Sequence, residues 1–394
     1  MIARGLRFII NSFFMFLSIN GCTAYGNTFI DMKKNLSKTM QSMCNYQQFS
    51  GAVLIAVDNK IIYKNACGLA NRSFNVPNNI NTKYNLSSVG KLFTSVAIAQ
   101  LVNEGKVSLS TPVYKIIPTW LPKTENSKNI TVEQLLIHTS GLGNFMDDQR
   151  WKLGADSGLY KTVNDYKPLI YAKELLFSPG KSQSYSNNGY ILLGAIIETV
   201  TKTKYSEYLE KNIFKPSGMI NTGIWTLDEI VSNRAEGYFQ VCMQNKCQWK
   251  NNNFEAPFMG SPAGGVYSTI EDLFKFARYL HQSKFISPVL STDVAFISNN
   301  IKLKPYKIDG MDISENFSSY GFAGAWNKYG FAVWEDPFLV GHTGGIQGAS
   351  AFFATSPDGE YTVIILSNIS GSGPIMLYQD IRKILGFSEK IINY

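Results

Sequence analysis

Gly51-Ala-Val-Leu-Ile-Ala-Val57, Asp58-Asn59-Lys60 and Ile61-Ile-Tyr-Lys-Asn-Ala-Cys67 form two β-rich runs around a polar turn, the pattern of a β-hairpin. It returns near the C-terminus, where Gln347–Thr355 and Tyr361–Ser367 flank the turn signal Ser356-Pro-Asp-Gly359. A helical pattern over Ile375–Leu385 follows and is closed by Gly386. Between these ends the periodicity changes. Leu92–Glu104, Thr131–His138, Ala172–Leu176, Asn188–Val200, Tyr205–Ile213 and Ile270–Leu280 read as helices joined by Gly- and Pro-bearing loops. Upstream, residues 28–48 read as an amphipathic helix. Strands at both ends with helices between them predict an α/β fold. One sheet is assembled from the two chain ends, and a mainly helical region is inserted.

The chain has 394 residues, 45% apolar and 17% charged, which excludes intrinsic disorder and allows about two to three domains or one large unit. The net charge of +8 falls to +6 without residues 1–26, which hold Arg4 and Arg7 and no acid. The basic side chains are dispersed, whereas a nucleic-acid binder concentrates them in a stripe. Nucleic acid is therefore not an expected partner.

The N-terminus reads as an export signal. Arg4 and Arg7 make a basic region before the apolar core Phe8–Ile19, which is shorter than the about 20 residues a transmembrane helix needs. Ala24-Tyr25-Gly26 offers a cleavage point, giving a signal over residues 1–26 and a periplasmic or secreted product. A rival cut before Cys22 makes a lipoprotein, but Asn20 is a poor residue there. Four cysteines remain after cleavage, an even number for an oxidising compartment. Of the three pairings, proximity in sequence favours Cys242 with Cys247 and Cys44 with Cys67. No cysteine pair has zinc-ligand spacing with a nearby histidine, so neither metal nor cofactor is expected.

Three short motifs carry chemistry. Ser88-Val89-Gly90-Lys91 opens a helical pattern, which sets Ser88 and Lys91 on one face about 5–6 Å apart at Cβ. There the hydroxyl meets an amine able to act as base and the positive end of a helix dipole. A second Ser-x-x-Lys, Ser178-Pro-Gly-Lys181, lies in a Pro-Gly turn without that geometry. Taken alone, Ser88 also fits an ordinary helix N-cap. Tyr185-Ser186-Asn187 precedes another helix, and a phenol there can pass protons while the amide orients a substrate or the lysine. Gly341-His342-Thr343-Gly344-Gly345 opens the C-terminal strands. Its glycines admit a close backbone, and Thr343 and His342 offer hydrogen bonds to a cleft.

The three motifs stand in one order, 97 and 157 residues apart, and so arranged they resemble those of the serine penicillin-recognising superfamily. More narrowly, the chain is similar to its class C β-lactamase, DD-peptidase and esterase-like branch. Further likeness lies in Leu101-Val-Asn-Glu-Gly-Lys-Val-Ser-Leu109 with Pro112-Val113, and in Leu135-Leu-Ile-His-Thr-Ser-Gly-Leu142. It extends to Phe177-Ser-Pro-Gly180 and to Pro262-Ala-Gly-Gly-Val-Tyr-Ser-Thr269 with Asp272-Leu273. The resemblance implies a β-lactamase-like antiparallel sheet domain over 27–83 and 262–394, and a helical domain over 84–261.

It also implies roles. Ser88 is the acylated nucleophile, Lys91 its activator and Tyr185 a proton relay. Asn187, His342, Thr343, Gly344 and Gly345 bind substrate, with the backbone N–H groups of Ser88 and Gly345 as oxyanion hole. His342 stands where most class C β-lactamases carry lysine. A histidine of ordinary pKa, about 6.5, is mostly neutral at pH 7 and attracts a substrate carboxylate weakly. That argues against efficient β-lactamase action rather than against catalysis.

The expected function is an exported serine hydrolase of amide, peptide or ester bonds, with cell-wall peptide, β-lactam or ester substrates. The alternative is a non-catalytic module that binds cell-wall peptide or a protein partner. His138, ending an apolar run, reads as a buried structural residue, and His281 as a solvent-facing helix end. Glu236–Lys250 reads as an added hairpin bordering the cleft.

Overall fold

The computed structural model describes residues 21–155, 157–244, 246–286, 301–302, 325–326, 332–333, 340–356 and 359–385. Along the chain come helix α1 (Gly21–Asn45), strands β1 (Gly51–Val57) and β2 (Lys60–Cys67), and helices α2 (Lys91–Asn103), α3 (Asn187–Thr201) and α4 (Ile270–His281). Strands β3 (Val340–Ile346), β4 (Ala349–Thr355) and β5 (Tyr361–Ser367) and helix α5 (Gly373–Ile384) complete the main elements. The expected signal core, Phe8–Ile19, and the closing Gly386 lie outside the described residues.

The two chain ends meet in the sheet. Asp58 and Asn59 both take positive φ, 50° and 60°, the conformation a two-residue hairpin turn requires, and β1 folds back on β2. The other edge of β1 pairs with β5, from Gly51 opposite Ser367 to Val57 opposite Tyr361. The eight-stranded order is β2-β1-β5-β4-β3, then Ala332–Val333, Ala325–Trp326 and Ile301–Lys302, antiparallel throughout.

Strand alternation divides the apolar side chains between two layers. Val53, Ile55, Val363 and Ile365 pack under α1 and α5, against Leu36, Met40, Leu377 and Ile381. Leu54, Phe353, Ile364 and Leu366 face the other way, into a core shared with α2, α3 and α4. With both faces covered, β1 reads as an unbroken apolar run, and truncating Leu54 to alanine removes about 2–5 kcal/mol. A disulfide from Cys44 to Cys67 (Cα–Cα 6.2 Å) ties α1 to β2. A second, Cys242 to Cys247 (Cα–Cα 4.0 Å), bridges directly opposed residues of the hairpin Tyr238–Met243 and Lys246–Asn251.

Several local expectations are corrected. Ala172–Leu176 is not helical; Pro168 in the first turn starts a helix at Lys167 that ends at Tyr171. Beyond it, Leu176 N–H and Gly180 N–H donate to Gly141 and Thr139 carbonyls, so that segment is pinned as a loop. The helix expected to His138 runs only over Val132–Leu136, begun by a Thr131–Gln134 capping box. His281 does not face solvent: it is half-buried, with Nε2 2.7 Å from Thr355 Oγ1. No described residue of the 238–251 hairpin lines the cleft. Its Trp249 lies under the Arg72 guanidinium at 3.7 Å and donates to Gln47.

Candidate active site

Ser88 lies in a single 3-10 turn, Ser87–Gly90, that feeds into α2. A short ladder sets this turn in place: Tyr84–Asn85 pairs with Tyr267–Ser268, and Leu86 N–H donates to the Val266 carbonyl. Ser87 takes φ +47°, a left-handed conformation rare outside glycine and a mark of local strain. Glycines hold the turn on both sides. A Cβ on Gly264 would lie 2.3 Å from the Ser87 carbonyl oxygen, and one on Gly344 2.3 Å from that of Leu86 and 3.1 Å from Ser88 N. Only backbone fits there, so β3 runs hard against the serine. The Ser88 hydroxyl does not cap α2, whose cap position Gly90 makes no side-chain bond.

The hydroxyl meets the two expected partners instead. Tyr185 Oη donates to Ser88 Oγ at 2.9 Å, and Lys91 Nζ lies 3.2 Å away. Lys91 is fully buried. Its other partners are Asn187 Oδ1 at 2.7 Å and the Ala263 carbonyl at 2.5 Å. All three are uncharged, so nothing in its hydrogen-bond shell repays the lost hydration of an ammonium. Burial pushes the Lys91 amine well below the ordinary lysine value of 10.5. The rings of Tyr185 and Tyr190, 4.8 and 5.4 Å from Nζ, favour the cation, each by about 2 kcal/mol at a desolvated site, against this larger effect of burial. Burial moves Tyr185 the other way and keeps its phenol protonated.

Tyr185 is aimed by a residue the sequence marked only as structural. His138 grips three consecutive residues. Its carbonyl accepts from Ser184 N–H (2.9 Å), its Nδ1 from Ser186 N–H (3.1 Å), and its ring packs 4.5 Å from that of Tyr185. His138 itself takes φ +61° where the preceding helix has ended. Burial, then the nearby Lys91 amine and His342, hold its imidazole neutral. Ser186 then caps α3 through Gly189 N–H, which sets Asn187 in the first turn facing Lys91.

On β3 the strand's alternation sends Thr343 and Gly345 to the cleft and Gly344 onto the Ser88 turn. His342, expected on the cleft wall, lies behind it with Gly344, fully buried and 6.3 Å from the Tyr185 ring. Its Nδ1 bonds the Thr343 carbonyl. Burial and then Lys91 push the His342 imidazole down to about 3, so it is uncharged at neutral pH.

The cleft in front of Ser88 has a volume of about 340 Å³. One wall is the Ser88 turn with Gly264, Gly265, Thr343 and Gly345; the facing wall is Phe145, Trp151, Tyr166, Met146, Pro257 and Met259. That aromatic wall carries no motif and was not legible in the sequence.

The fold is that of the serine β-lactamase-like proteins. The chain belongs to the Beta-lactamase family, whose profile matches residues 32–385. It is 28% identical over 350 residues to Penicillin-binding protein 4* of Bacillus subtilis (strain 168), covering 85% of this chain and 72% of that protein. Protein flp of Staphylococcus aureus (strain N315) is 26% identical over 350 residues, covering 86% of this chain and 64% of the relative. Among solved structures, a penicillin binding protein from Bacillus halodurans superposes with TM-score 0.68 at 26% identity, covering 86% of this chain and 98% of that one. A D-amino acid amidase from Ochrobactrum anthropi SV3 shares the fold, with TM-score 0.71 at 19% identity over 92% and 100% of the two chains.

Proposed function

We propose that this chain is an exported serine hydrolase that cleaves amide, peptide or ester bonds through an acyl-enzyme on Ser88. The observation that carries the reading is Ser88 Oγ within hydrogen-bond reach of both Tyr185 Oη and Lys91 Nζ, where the lysine has only neutral partners. An uncharged Lys91 amine donates its two N–H bonds to Asn187 Oδ1 and the Ala263 carbonyl, which turns its lone pair toward the Ser88 hydroxyl. As Ser88 Oγ bonds the substrate carbonyl carbon, its proton passes to Lys91. Tyr185, kept protonated, then delivers a proton from its phenol to the leaving group and is reprotonated from the Lys91 ammonium. Water attacks the ester in the second half, with the same groups in reverse. The N–H groups of Ser88 and Gly345 receive the oxyanion, each donor worth about 3–4 kcal/mol.

In this reading the sheet domain (27–83 and 262–394) brings Thr343 and Gly345, the helical domain (84–261) brings Ser88, Lys91 and Tyr185, and the reaction takes place between them. Export is supported by the paired cysteines and the basic, apolar N-terminus. Relatives named as penicillin-binding proteins and a D-amino acid amidase support the substrate range. The uncharged His342 gives a carboxylate no cation to meet, so p-nitrophenyl ester turnover should exceed nitrocefin turnover, and Ser88→Ala should abolish both. Nitrocefin hydrolysed faster than the ester would make this a β-lactamase. Ester turnover that survives Ser88→Ala would remove Ser88 as nucleophile.

A further inference from the structure

We infer that the cleft selects an uncharged substrate whose acyl group carries an aromatic ring, which lies against the Phe145–Trp151–Tyr166 wall while the scissile carbonyl meets Ser88. The inference rests on the acyl-enzyme reading above and adds the substrate's chemistry to it.

The wall is preformed. Phe145 packs edge-on against Trp151 (centroids 4.7 Å, 73°) and Tyr166 (5.0 Å, 70°), while Trp151 and Tyr166 lie 5.6 Å apart. Tyr160 packs behind them, 4.9 Å from Trp151 and 5.3 Å from Tyr166. Phe145, Trp151 and Tyr166 are all buried, so their rings are held before any ligand arrives. Asn187 Nδ2 donates to Asn144 Oδ1 and Met146 Sδ, on either side of Phe145, which anchors the wall to the residue that holds Lys91. The wall and the catalytic groups therefore stand in a fixed relation. An apolar cavity of about 150 Å³ holds a benzene ring; 340 Å³ leaves room for an ester or amide beside it. Edge-to-face contact with such rings favours an aromatic guest over an alkyl one of equal area.

The second half of the inference is charge. The described lining residues include hydroxyls, one amide and apolar groups, and none is an acid, a lysine or an arginine. Lys91 stands beneath the floor, its amine held among Ser88 Oγ, Asn187 Oδ1 and the Ala263 carbonyl. A carboxylate drawn into this space loses its hydration without an ionic partner among the described residues, a large penalty.

The test compares p-nitrophenyl 3-phenylpropionate, acetate and monosuccinate, each rate divided by that ester's hydroxide-catalysed rate. We expect kcat/KM for the phenylpropionate to exceed that for acetate by about tenfold or more, and the succinate to fall below acetate. Trp151→Ala should bring the phenylpropionate-to-acetate ratio toward one. Met259→Arg, at a half-buried lining position, should raise succinate relative to acetate and serves if Trp151→Ala does not fold. If no ester is hydrolysed faster than by Ser88→Ala, the acyl-enzyme reading falls and this inference with it. Serine-dependent hydrolysis with acetate or succinate equal to or above phenylpropionate overturns this inference alone.

Discussion

The chain contains the pattern Ser-x-x-Lys twice, and the two copies fold to opposite ends. Ser88 and Lys91 straddle the entry to a buried helix; Lys91 has no exposed surface and points at the Ser88 hydroxyl. Ser178 and Lys181 lie in a surface turn, both exposed, where Lys181 N–H donates to the Ser178 carbonyl and Gly180 takes φ +78°. Two fixed residues in a four-residue pattern therefore specify very little. What differs is helical geometry, which brings the side chains onto one face, and burial, which strips the amine of water. Burial among neutral partners removes the hydration that favours the charged form of Lys91 and lowers its pKa, the condition a lysine needs to serve as a base.

That contrast is open to breaking. The largest effect is expected at the hydroxyls: Ser88→Ala should lower kcat/KM for an ester by about 10³-fold or more, and Ser178→Ala by less than about twofold. Next comes the amine. The reactive form of Lys91 is neutral and burial lowers its pKa, so activity should rise with pH and level off below the ordinary lysine value of 10.5. Lys91→Arg keeps a permanent cation and should lose about 10²-fold or more with no such rise, whereas Lys181→Ala should keep the wild-type profile. A smaller effect is expected at His138. His138→Asn tolerates the left-handed backbone and keeps an acceptor for Ser186 N–H; His138→Phe keeps a ring and loses the acceptor. If the acceptor aims Tyr185, the phenylalanine variant should lower kcat by about tenfold with little change in KM, and asparagine should recover most of it. Equal losses in both variants, accompanied by equal losses of thermal stability, would make His138 a packing residue only.

The contrast also shows what a sequence can carry. The meeting of Ser88, Lys91 and Tyr185 was legible because three short motifs, each weak alone, stand in the order and spacing of a known family. The two-ended sheet was legible because apolar runs such as Gly51–Val57 and Tyr361–Ser367 leave a β-signal beside clear turns. The facing of His342 was not, because one residue of strand alternation decides between cleft and interior, and that is fixed by Gly344 against the Ser88 turn. The apolar run before His138 marks it as buried, but its positive φ and its grip on residues 184–186 come from tertiary structure. The aromatic wall was invisible for a similar reason: Phe145 and Tyr166 lie on 3-10 turns too short to show a period. The existence of the disulfide-bridged hairpin followed from its sequence; its docking on Arg72 and Gln47 did not.

The central claim is that position, rather than motif, makes one serine of the two a nucleophile. Peptide mapping after treatment with an aryl fluorophosphonate measures this directly. The adduct should appear on the peptide containing Ser88, with Ser178 unmodified, and should vanish in the Lys91→Arg protein while that protein remains folded. An adduct on Ser178, or equal labelling of Ser88 with and without Lys91, would contradict it.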